Sequence, residues 1–211
     1  MTLGDKSLST VLEEFRSSNP TPGGGSAAAL AGALGASLLA MVASLPRPRA
    51  AGDPEIQHLR DAGQRCVTLS KDLELLVDRD SEAYDLVVNA YRLPKSTDDE
   101  KAVRTDRIQA ALKAAIDTPM DVMRACARAL SEANTIGLLG NANASSDVQV
   151  GIELLRAGLR GAQANVEINL GSVKDRAYAD NITREIDGLL ARTSLSGLSG
   201  SGAAGAPSGP S

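Results

Sequence analysis

The chain of 211 residues contains no tryptophan, a single phenylalanine (Phe15) and three tyrosines (Tyr84, Tyr91, Tyr178). Such a shortage of aromatic, strand-favouring residues, set beside abundant Ala and Leu, argues against a sheet core and predicts an all-α protein. Histidine is nearly absent too. His58 alone cannot build a multi-histidine metal site, and it reads as a helix-surface side chain. The two cysteines, Cys66 and Cys126, stand far apart without metal-ligand spacing, which excludes a disulfide framework and predicts reduced thiols in a cytoplasmic protein. Basic excess is missing as well: 22 Lys plus Arg against 26 Asp plus Glu give a net charge of −4 and no long basic run. That balance argues against a general nucleic-acid binder, while leaving room for a local basic patch that greets a small anion.

The most informative motif present is Pro20-Thr21-Pro22-Gly23-Gly24-Gly25-Ser26, which runs directly into an Ala-rich segment at 27–45. Three glycines allow a sharp turn and a close backbone approach, and the helix they feed presents free N–H groups at the positive end of its dipole. An anion or carbonyl site is one reading; a plain turn into a helix is the other. The loop lacks the lysine and spacing of a P-loop, and no strand-preceded GxGxxG occurs. Residues 26–45 carry no charge and are long enough to span a bilayer. Their Ala, Gly and Ser content fits a small-residue helix inside a soluble bundle better, and the segment has no basic leader of a signal peptide.

Periodicity and punctuation predict the remaining elements. A short amphipathic helix is expected over about 7–17, with Leu8, Val11, Leu12 and Phe15 on one side, and a second over 25–45 ending at Pro46-Arg47-Pro48-Arg49. Gly32, Gly35 and Ala36 would let another backbone come close to this second helix. Asp53-Pro54 reads as an N-cap and first-turn proline for a long helix reaching about 92, before Pro94. Thr97-x-x-Glu100 is a capping box for the next helix, which Pro119 should kink or restart. Gly137 to Ala144 reads as a loop, Ser145 or Ser146 as the cap of a helix over 147–170, and 173–192 as the last helix. One domain over 1–193 is expected, followed by a disordered Gly/Ser/Ala/Pro tail over 194–211.

Two polar stripes stand out. At 100° per residue, Asp147, Gly151, Leu154, Gly158, Ala162, Asn165 and Asn169 share one face of the fifth long helix. An inward acid and two amides need partners or a ligand, because each costs about 1–3 kcal/mol if buried unpaired. Either the asparagines tie helices together and Asp147 supports its helix N-terminus, or the stripe lines a site. On the long third helix, Asp80, Tyr84, Val87 and Tyr91 share a face, with Arg92 and Lys95 at its proline-terminated end. They form either a packed tyrosine pair beside exposed charges or a pocket that flanks an aromatic heterocycle.

Four blocks, PTPGGGSAAALAGALGASL at 20–38, DSEAYDLVVNAYRLPK at 80–95, GNANASSD at 140–147 and NVEINLGSVKD at 165–175, resemble the cyclodeaminase/cyclohydrolase family of folate enzymes. The blocks occur in the family's order and show no departure within them; the C-terminal tail lies outside the pattern. The resemblance implies an all-α, mostly antiparallel helical bundle that forms a homodimer, with a folate held near the subunit interface. It implies catalysis at the one-carbon bridge between two folate nitrogens. A stand-alone cyclohydrolase would hydrolyse 5,10-methenyltetrahydrofolate to 10-formyltetrahydrofolate. The alternatives are a formiminotetrahydrofolate cyclodeaminase that releases ammonia and a non-catalytic folate-binding module.

On that resemblance, Asp147 would orient or deprotonate the attacking water or face the substrate cation, with Asp80 as the competing carboxylate. Lys95 would protonate the leaving nitrogen or hold a carbonyl oxygen. Asn141, Asn143, Asn165 and Asn169 would bond the pterin edge, whose donors and acceptors alternate as a carboxamide's do. Gly23, Gly24, Gly25 and Ser26 would bring backbone N–H groups to the ligand, and Tyr84 and Tyr91 would flank its ring. Arg92, with Arg47 and Arg49, would hold the glutamate tail. No metal and no cofactor beyond the folate substrate is expected, and neither nucleic acid nor membrane as a partner.

Overall fold

The computed structural model describes residues 2–46 and 52–195, and six α-helices carry the fold. They are α1 (Leu8–Arg16), α2 (Gly24–Ser44), α3 (Asp53–Tyr91), α4 (Asp98–Leu139), α5 (Ser145–Leu170) and α6 (Arg176–Leu195), with single 3-10 turns at Leu3–Asp5 and Ala142–Ala144. Among the described residues there is no strand. Arg47, Arg49 and residues 196–211 lie outside the described residues.

Helices α2 to α5 form an up-down-up-down bundle. α2 packs on α3 and α5, α4 closes the other side, and the facing residues run in opposite directions along each neighbouring pair. Ser26 meets Asp80 while Ser37 meets Ser70 across α2 and α3. Arg65 meets Glu132 while Arg104 reaches Tyr91 across α3 and α4. Leu39, Leu73, Ile116, Met120, Met123, Ile136 and Leu155 are fully buried at the centre. Each such side chain contributes about 1.5–3 kcal/mol by leaving water. Helix α6 packs on the outer side of α4, and the Leu3–Asp5 turn packs on α3, where the Leu3 N–H donates to Asp78 Oδ1 at 2.7 Å.

Small residues set the spacing between α2 and α5. A Cβ at Gly35 would lie 2.7 Å from the Gly151 carbonyl oxygen, and one at Gly158 would lie 2.8 Å from that of Ala28. This contact makes the uncharged α2 a core helix. By length and composition it could cross a membrane, but Ala29, Ala36, Leu39 and Val42 are fully buried inside the bundle.

The helix boundaries follow the sequence signals, with three differences. The Thr97 capping box forms as expected: the Glu100 N–H donates to Thr97 Oγ1 at 3.2 Å and the Thr97 N–H to Glu100 Oε2 at 3.1 Å. At α3, Gly52 and not Asp53 is the N-cap, so the helix begins one residue earlier. At α5, neither serine caps: Ala144 is the N-cap and makes no side-chain bond. The third difference is the end of α4, which continues to Leu139 where a loop from Gly137 was expected; α4 also runs through Pro119 without restarting. Proline removes the N–H that would bond the Ala115 carbonyl. Asn169 Nδ2 on α5 reaches that carbonyl, at a long 3.5 Å, and so replaces part of the missing bond.

Candidate active site

At the N-terminus of α2, Gly23 is the N-cap in an extended conformation (φ −114°, ψ −160°), and no glycine among the described residues has positive φ. The glycines are therefore needed for proximity and not for a left-handed turn. A Cβ at Gly25 would lie 2.0 Å from Asp80 Oδ1, a distance no real side chain could occupy, and one at Gly24 would lie 3.5 Å from Asn165 Nδ2. Asp80, projecting from α3, accepts the Ser26 N–H on Oδ2 at 2.9 Å and the Ser26 hydroxyl on the same oxygen at 3.1 Å. Both the free N–H groups and the dipole of α2 favour a carboxylate here. The Ser26 side chain points inward. It is the one buried polar side chain among the described residues, and its hydroxyl also donates to the Val77 carbonyl at 2.8 Å.

Around this point the antiparallel packing gathers Gly24, Gly25, Ser26, Asp80 and Asn165, with Tyr84 one turn further along α3 and 41 % exposed. Asn165 and Asn169 are half-buried, and their Nδ2 atoms donate to the carbonyls of Gly161 (2.8 Å) and Asn165 (2.9 Å) one turn back on their own helix. Further out, Tyr91 is half-exposed, Arg92 is the C-cap of α3, and Lys95 lies exposed in the turn to α4. Arg104, which belongs to none of the sequence motifs, stacks 5.5 Å from the Tyr91 ring centroid and donates to the Tyr91 carbonyl at 3.0 Å. No local spacing marks it, because only the α3–α4 packing brings it there.

Asp147, Asn141 and Asn143 are elsewhere. α5 runs antiparallel to α2, so Asp147 and Asn165, 18 residues apart on one stripe, stand about 27 Å apart along the helix axis. Asn141 braces the far end: its Nδ2 donates to the Pro46 carbonyl at 2.7 Å and its Oδ1 accepts the Asn143 N–H at 3.0 Å. Asp147 is half-buried in the first turn of α5, and among the described residues it makes no hydrogen bond or ion pair. Within one chain the two carboxylates thus do not share a site.

Neither thiol competes for a chemical role, since burial pushes both Cys66 and Cys126 up to about 12 and keeps them protonated. Among the described residues no three His, Cys, Asp or Glu side chains converge on a common point that could hold a metal.

A helical bundle that pins one carboxylate at a glycine-rich helix N-terminus, beside carboxamides and phenols, defines a protein suited to a polar, partly aromatic small molecule. The chain belongs to the formiminotransferase-cyclodeaminase family, whose family model matches residues 7–188. It is 40% identical over 188 residues to a methenyltetrahydrofolate cyclohydrolase of Methylorubrum extorquens, covering 89% of this chain and 90% of that protein. It is 33% identical over 189 residues to the formimidoyltransferase-cyclodeaminase of Sus scrofa, covering 88% of this chain and 34% of that larger protein. Among solved structures it is similar to formiminotetrahydrofolate cyclodeaminase of Thermotoga maritima, with a TM-score of 0.77 and 28% identity, covering 91% of this chain and 92% of that one.

Proposed function

We propose that this chain hydrolyses 5,10-methenyltetrahydrofolate to 10-formyltetrahydrofolate as a soluble, cytoplasmic homodimer. The observation that carries the reading is Asp80, held by one oxygen at the α2 N-terminus with its other oxygen free of donors among the described residues. The likeness over nearly the full length to a cyclohydrolase supports it.

The substrate carbon lies between two nitrogens that share a positive charge, so a carboxylate both attracts the cation and accepts a proton from the attacking water. Water oxygen bonds to this carbon as its proton passes to the carboxylate. The tetrahedral adduct then expels the ring nitrogen, which takes up a proton, and the carbon stays on the other nitrogen as a formyl group; the balance releases one proton. The Gly24 and Gly25 N–H groups at the start of α2 suit the oxygen that gains negative character. Lys95 would assist the departing nitrogen, Tyr84 and Tyr91 would flank the ring system, and Asn165 would meet the pterin edge. Arg92 would hold the glutamate tail.

The homodimer would unite the two ends of the molecule. α2 shows an uncharged outer face with Leu30, Leu34 and Met41 exposed, and the adjoining flank of α5 continues it with Val150, Ala157, Ala164 and Ile168. A continuous apolar face of this kind marks an interface. A two-fold axis near Leu34 would set α2 antiparallel to its copy, bringing the Asp80 end of one subunit to the Asp147 end of the other.

The test is loss of methenyltetrahydrofolate absorbance with purified protein, measured against spontaneous hydrolysis and the Asp80→Asn and Asp147→Asn variants. Enzyme-dependent decay that the variants lose is the expected result. No acceleration, together with ammonia release from formiminotetrahydrofolate, would replace this reading with the cyclodeaminase one that other relatives support. Folate binding without either turnover would leave a binding module.

A further inference from the structure

We propose that Ser26 is a positioning residue that selects which oxygen of Asp80 meets the reacting atoms, a proposal that rests on Asp80 being a carboxylate of the reaction. Two donors from one residue converge on Asp80 Oδ2, the Ser26 N–H at 2.9 Å and the Ser26 hydroxyl at 3.1 Å. Oδ1 receives no donor among the described residues and lies over the Cα of Gly25, where any Cβ would occupy its place. The carboxylate is thus oriented, with Oδ2 engaged by the protein and Oδ1 left to accept a proton.

The Ser26 hydroxyl has one proton and two acceptors, Asp80 Oδ2 at 3.1 Å and the Val77 carbonyl at 2.8 Å. Val77 lies inside α3, whose helical ladder also uses that carbonyl, so the carbonyl does not depend on Ser26. The hydroxyl can therefore turn to Oδ2 while Asp80 is ionised and rest on Val77 when Asp80 has taken a proton from water. Its complete burial keeps water from competing for either acceptor. The adjacent glycine and serine act together on one carboxylate, since Gly25 makes room for Oδ1 while Ser26 holds Oδ2.

The experiment is steady-state turnover of methenyltetrahydrofolate by Ser26→Ala, Ser26→Thr, Asp80→Asn and the Ser26→Ala/Asp80→Asn double variant. Circular dichroism and thermal melting of each variant establish that it is folded. Loss of one hydrogen bond to a charged group should lower kcat of Ser26→Ala about 10-fold while KM stays within about 2-fold. Ser26→Thr, which retains the hydroxyl, should recover most of that loss. In the Asp80→Asn background Ser26→Ala should change kcat by less than about 2-fold, because the two residues act as one unit.

Equal losses from Ser26→Ala in both backgrounds, or a folded Ser26→Ala enzyme with unchanged kcat, would overturn the positioning role while Asp80 keeps its own. Wild-type turnover by Asp80→Asn would remove the reading on which the proposal stands, and the proposal with it.

Discussion

The two ends of the α2–α5 pair carry the same kind of residue, a carboxylate beside asparagines, in opposite states of engagement. At the α2 N-terminus, Asp80 is locked by two donors from Ser26 against a glycine that no other residue can replace without moving it. At the α5 N-terminus, Asp147 has no partner among the described residues, and the nearby Asn141 is committed to bracing the Pro46 carbonyl. A carboxylate fixed in place suits a proton acceptor whose geometry must be set before substrate arrives. One that is half-buried and unengaged suits a group completed from outside the chain, by a ligand or by a second subunit.

The sharpest way to break this contrast is subunit complementation. Asp80→Asn and Asp147→Asn should each fold and each lower turnover by about 10²–10⁴-fold, the range general acid–base residues contribute. If one site draws Asp80 from one subunit and Asp147 from the other, mixing the two inactive variants after reversible dissociation forms heterodimers with one intact site. About a quarter of wild-type activity should return at an equal mixture by that symmetry. No recovery on confirmed subunit exchange would confine each site to one chain, and full activity of Asp147→Asn would return Asp147 to supporting the α5 N-terminus.

Gly25→Ala should come next in size. Its Cβ would need the space that Asp80 Oδ1 occupies at 2.0 Å, so either Asp80 swings away or α2 shifts. Overpacking of this kind costs about 1–3 kcal/mol of stability. Turnover should fall by at least about 100-fold, because catalysis is sensitive to displacements of about 1 Å. A folded Gly25→Ala protein with normal kcat would show that the orientation of Asp80 does not matter.

Much of the fold was legible along the chain, since the Thr97 capping box, the prolines and the apolar periodicity each act within a few residues. The scarcity of aromatic residues pointed correctly to an all-α protein. Of the two readings of Pro119, a kink or a restart, the restart does not occur: the carbonyl the proline leaves is met by Asn169, 50 positions away, a partner that no local rule can supply. The stripe from Asp147 to Asn169 was real as a helix face, but sharing a face over 18 or more residues is not clustering. The pairing of Asp80 with Ser26, 54 positions apart, depends on the register of α2 against α3, which follows from tight packing and not from spacing. Arg104 joins Tyr91 by the same route, which no local spacing marks.

The exposed apolar face sharpens the comparison at smaller amplitude. Leu34 is 52 % exposed at the middle of the uncharged outer face of α2, and if the proposed two-fold axis passes there, a carboxylate at this position would face its own copy. Leu34→Glu should leave helix content unchanged and shift the protein toward monomer in light scattering. Activity should fall by about 10-fold or more at low protein concentration and recover partly as concentration rises. An unaltered dimer would place the interface on another face.

The smallest effect concerns a region remote from both carboxylates and serves as a control for them. Arg124 on α4 makes a bidentate pair with Glu185 on α6, at 2.7 and 2.8 Å, and the guanidinium holds the Glu185 carboxyl below its ordinary value of 4.5. Because the folded value is depressed, the pair's contribution is present above the unfolded value and is lost as pH falls through the folded one. The ions are about one-third exposed, so solvent screening keeps the gain small. Wild-type protein should melt about 1–3 °C above Glu185→Gln near neutral pH, with the difference shrinking as pH falls below 4.5 and lost once it passes the depressed folded value. Turnover at neutral pH should be the same in both, since α6 packs on the outside of α4, away from the α2 N-terminus. A Glu185→Gln enzyme that loses activity without losing stability would extend the site across α4 and end the separation between core chemistry and outer bracing.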